Sequence, residues 1–222
     1  MTPTPTANGR ALIFDFDGLI VDSEQPDFQS WQEIYRAHGA TLTLADWLAA
    51  VGYVNGFDPK LHLARRTGRS DFDWPALDAR RRRHHAELMR LQPVLPGVFS
   101  LMQAGRAAGW KIGVASNSTR DWVEPGLERL GVRPLVDAVL ARESVVRPKP
   151  APDVYRAALR ALVGESADPA RSFAFEDSQP GVESARAAGL RVVVVPHALT
   201  LHQDLSAAHH RLTALTEFVM PD

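Results

Sequence analysis

The chain contains no cysteine, which excludes disulfides, thiolate nucleophiles and cysteine zinc sites while leaving the compartment open. Long apolar runs are missing too: the longest aliphatic stretch is 192–195, far short of the roughly 20 residues that span a bilayer. The opening MTPTPT lacks the apolar core of a secretory signal, so the expected location is cytoplasmic and no membrane partner is expected. An excess of one charge is also absent. With 25 Lys and Arg against 26 Asp and Glu the formal net charge is -1, which gives no reason to expect nucleic acid or an anionic membrane as partner. The most basic run, Arg80 to Arg83, fans around a helix axis rather than sharing one face, so it reads as a solvated surface. The pairs His84-His85 and His209-His210 lack the spacing with which a helix chelates metal. No internal repeat is visible, and residues 1–9 read as a disordered tail.

What the chain has is room for a core. Its 222 residues, 45% of them hydrophobic, suffice for one full domain and a smaller accessory one. Strands are predicted at 11–14, 110–116, 172–176 and 191–195, with a weaker one at 138–140. Between them lie helical patterns: 98–108 before Gly109, a segment carrying Trp122, Val123, Leu127 and Leu130 before Gly131, one from about Asp153 through Leu162, and one from about Gly181 to Gly189. Strands alternating with helices predict βαβ units and a parallel sheet.

Residues 25–92 break that alternation. Phe28, Trp31, Ile34 and Tyr35 mark a helix ending at Gly39, and Leu44, Trp47, Leu48 and Val51 mark a second ending at Gly52. Asp58-Pro59 offers an N-cap followed by proline, with Gly68 as the stop, and a long helix runs from about Asp73 to Met89. The organisation expected is therefore a core of 10–24 and 93–222 with an all-helical insertion, 25–92, placed to act as a lid. The five tryptophans are read as packing residues.

The chemistry starts where the first strand ends, in Asp15-Phe16-Asp17-Gly18. Two residues apart on an extended chain, Asp15 and Asp17 are predicted to point the same way, at the carboxyl edge where open α/β sheets place their sites. Packing gains nothing from two like charges there, and a bound cation would relieve their repulsion and desolvation. Later strands end in equally polar groups. Ser116-Asn117-Ser118-Thr119 offers hydroxyls and helix N-terminal N–H groups for phosphate oxygens, Arg147-Pro148-Lys149-Pro150 cages one lysine between prolines, and Glu176-Asp177 forms a second carboxylate pair.

The ordered set DFDGLIVDSE, SNS, KPAPD and FEDSQPGVESARAAGL, running from Asp15 to Leu190, resembles the four motifs of the haloacid dehalogenase-like superfamily in its phosphatase and β-phosphoglucomutase-like branch. The resemblance implies a doubly wound, Rossmann-like α/β core with a small helical cap, a Mg²⁺ cofactor, and a small phosphorylated metabolite as substrate. Asp15 would then be the nucleophile and Asp17 the proton donor and acceptor. Ser116, Asn117 and Lys149 would bind the phosphoryl group, and Asp15, Asp17 (through its carbonyl), Glu176 and Asp177 would hold the metal. The second aspartate, Asp17, separates the chain from the dehalogenases, which lack it. A mutase remains an alternative, as does a phosphometabolite-binding protein without turnover. Asp27 stands where the mutase is expected to carry a histidine, and the loop 52–56 has no arginine, so hydrolysis is favoured, with Asp27 and Asn55 as candidate specificity groups.

Overall fold

Six strands pair in one sheet, all parallel, in the order β3-β2-β1-β4-β5-β6. The computed structural model describes residues 9–48, 57–165 and 167–221. Its strands are β1 (Ala11–Phe14), β2 (Lys111–Ala115), β3 (Ala138–Leu140), β4 (Phe173–Glu176), β5 (Arg191–Val194) and β6 (His210–Arg211). The helices are α1 (Glu24–Ala37), α2 (Leu44–Leu48), α3 (Pro59–Thr67), α4 (Trp74–Arg90), α5 (Val98–Ala107), α6 (Arg120–Arg129), α7 (Asp153–Val163) and α8 (Gln179–Ala187). The chain divides into two compact units, Met1–Val21 with Val94–Asp222, and Asp22–Pro93. Residues 1–8 and 49–56, which include Asn55 and the predicted end of the second helix at Val51 and Gly52, lie outside the described residues.

In the larger unit β1 is central, between β2 and β4, and all four of its side chains are fully buried. That burial explains its unbroken apolar run, since a strand covered on both faces has no polar side to present. Ala11 and Ile13 join a core with Val154, Ala158, Val182 and Ala185 from α7 and α8. On the opposite face Leu12 packs against Gly105 of α5, where a Cβ would come within 2.7 Å of its Cδ1, and Phe14 stacks on Phe175 with ring centroids 4.7 Å apart. Helices therefore cover both faces, and the core is doubly wound. β6 is the strand the pattern does not reveal: it has two residues, both exposed, and no apolar alternation to detect.

Among the described residues, the regular elements of the smaller unit are all helices, α1 to α4. Phe28, Trp31, Ile34 and Tyr35 of α1 form its core with Trp47, Leu63 and Met89. Asp58 caps α3 by accepting from the N–H groups of Lys60 and Leu61, and Gly68 ends it at φ 65°. The basic run of α4 is partly spent on α1: Arg80 pairs with Glu33 at 2.6 Å, and Arg81 pairs with Asp27 at 2.5 Å while lying over the Trp31 ring. Asp27 thus has a cationic partner within its own unit. Among the described residues no helix is long and apolar enough to cross a membrane.

Candidate active site

The chain lays β1, β2 and β3 successively toward one edge of the sheet, then crosses back to lay β4, β5 and β6 toward the other. This reversal leaves a crevice beyond the carboxyl ends of β1 and β4, the position at which open α/β sheets bind ligands. Asp15 emerges there, its N–H donating to the Phe175 carbonyl at 2.9 Å, and Glu176 and Asp177 emerge beside it at the end of β4.

One ammonium organises these carboxylates. Lys149 Nζ donates to Asp15 Oδ1 at 2.7 Å and to Glu176 Oε1 at 2.6 Å, with all three side chains nearly or wholly buried. Tyr155, from the first turn of α7, donates its hydroxyl to the same Glu176 oxygen. The lysine's backbone is held by Asn117, which accepts from the Lys149 N–H at 2.8 Å and donates to its carbonyl at 3.3 Å. Asn117 therefore spends its amide on positioning Lys149, a use distinct from the phosphate contact expected of it. Across the cluster His197 Nε2 lies 3.0 Å from Asp177 Oδ2.

Electrostatics follow from burial. Desolvation pushes the Asp15 carboxyl up to about 7 despite the nearby ammonium, and likewise raises Glu176 and Asp177 above the ordinary carboxylate range. Burial opposes the charge on Lys149, but Asp15 and Glu176 together outweigh it and hold the ammonium above its usual range. Burial first, and then Glu176, keeps the Tyr155 phenol protonated well beyond its usual range.

Asp15, Glu176 and Asp177 each offer an oxygen within 4.8 Å of the others, and Glu176 Oε2 is buried with no hydrogen-bond partner. Three buried carboxylates against one ammonium leave negative charge in excess. All-oxygen donors, an orphaned carboxylate oxygen and surplus negative charge fit a hard divalent cation.

Asp15 and Asp17 take different partners at the end of β1, though Asp17 lies near enough to help raise the Asp15 carboxyl. Ser118 Oγ donates to Asp17 Oδ2 at 2.6 Å, Ser116 Oγ lies 3.5 Å from that oxygen, and the Trp122 indole N–H donates to Oδ1 at 2.9 Å. Trp122, expected only to pack, is thus a polar partner of the site.

Gly18 follows at φ 79°, where a Cβ would stand 2.4 Å from Asp177 Oδ2 and 2.9 Å from His197 Nε2. Both the backbone and the space require glycine. Gly18→Ala is expected to push the Asp177 carboxylate aside and weaken divalent-ion binding about 10-fold to 100-fold, the range for disturbing groups that orient a metal ligand. Titration calorimetry with MgCl₂ measures this directly.

Residues 12–195 match the family model for haloacid dehalogenase-like hydrolases. The chain belongs to the haloacid dehalogenase-like hydrolases. Among curated relatives of this hydrolase, YhcW of Bacillus subtilis (strain 168) is 35% identical over 208 residues, covering 94% of this chain and 93% of YhcW. Fructose-1-phosphate phosphatase YqaB of Escherichia coli (strain K12) is 30% identical over 187 residues, covering 83% of this chain and 95% of its own. The crystal structure of CbbY from Rhodobacter sphaeroides in complex with phosphate superposes with a TM-score of 0.72 at 25% identity, covering 93% of this chain and 95% of that one. This hydrolase stands on the phosphatase branch of its superfamily, among the phosphoric monoester hydrolases.

Sequence reasoning missed Trp122, Tyr155 and His197. Trp122 and Tyr155 stand within the first three residues of α6 and α7. A polar-tipped residue in a helix's opening turn, after the loop from a strand's carboxyl end, is the signal that would have found these two. His197 lies three residues beyond β5 and carries no comparable mark.

Proposed function

We propose that this hydrolase is a Mg²⁺-dependent phosphatase acting on a small phosphorylated metabolite, a sugar or polyol phosphate, through an aspartyl-phosphate intermediate. The observation that carries the reading is Asp15 held by Lys149 beside two further buried carboxylates at the switch between β1 and β4. The names of YqaB and of the phosphate complex of CbbY support the substrate class.

In this reading an Asp15 carboxylate oxygen attacks phosphorus, an acyl phosphate forms, and the ester P–O bond breaks as the departing oxygen takes a proton from Asp17. Water then attacks the same phosphorus and gives a proton to Asp17. The acyl-phosphate P–O bond breaks, restoring Asp15 and releasing inorganic phosphate. Two of the three Lys149 donors face Asp15 and Glu176, which leaves one for a phosphoryl oxygen, and the buried Ser116 hydroxyl offers another. The carboxylates of Asp15, Glu176 and Asp177 and the carbonyl of Asp17 would hold the metal. When bound, Mg²⁺ supplies positive charge that draws in the phosphoryl group and offsets charge built up on its oxygens.

Phosphate release from a panel of sugar and polyol phosphates, with MgCl₂ and again after EDTA, tests the proposal. Steady release that EDTA abolishes and added Mg²⁺ restores supports it. An isomerised product that depends on a sugar bisphosphate replaces it with a mutase, and no product from any phosphoester leaves a binding protein.

A further inference from the structure

The Asp17 carboxylate is gripped from one side of the crevice, by residues of the β2–α6 connection and the first turns of α6. Its Oδ1 accepts from the Trp122 indole N–H at 2.9 Å and its Oδ2 meets the Ser118 hydroxyl at 2.6 Å. These two contacts differ in kind. An indole N–H only donates, so the oxygen it meets must offer a lone pair; a hydroxyl donates or accepts and turns to suit. We propose that Trp122 is a positioning residue for Asp17, fixing the carboxylate through Oδ1 so that Oδ2 is the oxygen that gives a proton to the departing group and takes one from water.

A second feature holds the donor in place. A Cβ on Gly126, in the next turn of α6, would come within 2.4 Å of the Phe16 ring tip, so helix backbone and ring meet without room for a methyl group. Phe16 is the residue between the two aspartates. The same helix therefore seats against Phe16 through Gly126 and reaches Asp17 through Trp122, which ties the indole's height along the helix to the position of the carboxylate. Ser118 belongs to the same clamp: its N–H donates to Ser116 Oγ at 3.0 Å, and its carbonyl accepts from the Arg142 N–H at 2.9 Å. The hydroxyl that meets Oδ2 is thus carried on a fixed backbone while remaining free to rotate.

The proposal rests on the reading of Asp17 as proton donor, and its test separates the two. Phenyl phosphate and p-nitrophenyl phosphate are nearly the same shape, but phenoxide needs a proton to leave far more than p-nitrophenoxide does. Because kcat/KM covers events only through ester cleavage, proton donation to the leaving group appears as a loss on the first ester that the second escapes. Trp122→Phe keeps an aromatic ring in a half-buried position and removes the N–H together with part of the indole's volume. It is expected to lower kcat/KM about 10-fold on phenyl phosphate and less than about 2-fold on p-nitrophenyl phosphate. Asp17→Asn should show the same pattern with a larger gap, and Gly126→Ala, which shifts α6 without touching the donor, should show it in milder form. Equal losses on both esters, or no loss on either, with Trp122→Phe while Asp17→Asn discriminates, overturns the assignment of Trp122 alone. If Asp17→Asn does not discriminate, the acid role of Asp17 falls and this inference falls with it. Thermal melts of the variants establish that each is folded.

Discussion

Asp15→Asn is expected to lower kcat at least about a thousandfold and to leave the protein folded. The amide is nearly the size of the carboxylate but has no anionic oxygen with which to attack phosphorus, so the covalent route closes. Stability moves the other way. In the metal-free protein desolvation lifts the Asp15 carboxyl from 3.8 to about 7, so between those values the folded state binds a proton that the unfolded chain has released. Stability therefore falls as pH rises from about 4 to about 7, because ionising this group costs more in the folded protein than in the unfolded one. Urea unfolding in EDTA across that range should show the decline, and in Asp15→Asn the slope should be shallower. A variant that lost activity through unfolding would instead have a lower urea midpoint at every pH. Incubation with a phosphoester should also leave a hydroxylamine-sensitive phosphoryl group on the native protein and none on the variant.

Lys149→Met carries the second large effect. The ammonium is the ionic partner of both Asp15 and Glu176, and all three groups are at least 90% buried. Removing one side of a buried ion pair costs about 3–5 kcal/mol, because the remaining charges have lost their compensation. Against a total stability of about 5–15 kcal/mol for an ordinary domain, that is a large share. The loss should shrink at pH 5, where the carboxylates already raised by burial are protonated more readily, and should shrink again when MgCl₂ is added at pH 7. Urea midpoints under the three conditions check this. If low pH and Mg²⁺ both leave the deficit unchanged, the lysine acts through packing alone. Turnover should fall about a hundredfold or more even where the fold is restored, since one well-placed donor to a transferring phosphoryl group is worth roughly 3 kcal/mol.

Much of this arrangement is legible in the sequence because buried parallel strands leave a strong mark. Ala11 to Phe14 are apolar on both faces since β1 is covered on both, and the polar groups that follow the strands stand out against such runs. The predicted strands match β1, β2, β4 and β5 to within a residue at either end, and the faint signal at 138–140 matches β3, whose outer residues are only half-buried. Other features depend on tertiary geometry that no local pattern encodes. Asp17 meets Ser118 and Trp122, which lie 101 and 105 residues further on, and nothing in the local sequence names those partners. Asn117 sits in the predicted phosphate loop, yet its amide meets the backbone of Lys149, 32 residues away. The short contact between Tyr155 and Glu176 follows from α7 packing on the sheet, and periodicity reveals the helix without revealing which of its buried residues carries a hydroxyl to the site.

The central place of β1 has a consequence for the chain as it is made. Its β4 neighbour is supplied late: the Ala11 N–H bonds to the side chain of Ser172, 161 residues further on. At about 5–20 residues per second, a ribosome takes on the order of ten to thirty seconds to cover that interval. Throughout it, one edge of the most apolar strand has no β4 beside it, and Asp15 waits 134 residues for Lys149 and longer still for Glu176. A nascent chain halted before β4 should therefore be a client of holding chaperones and show no turnover, and catalytic competence should arrive abruptly once Glu176 and Asp177 have cleared the exit tunnel.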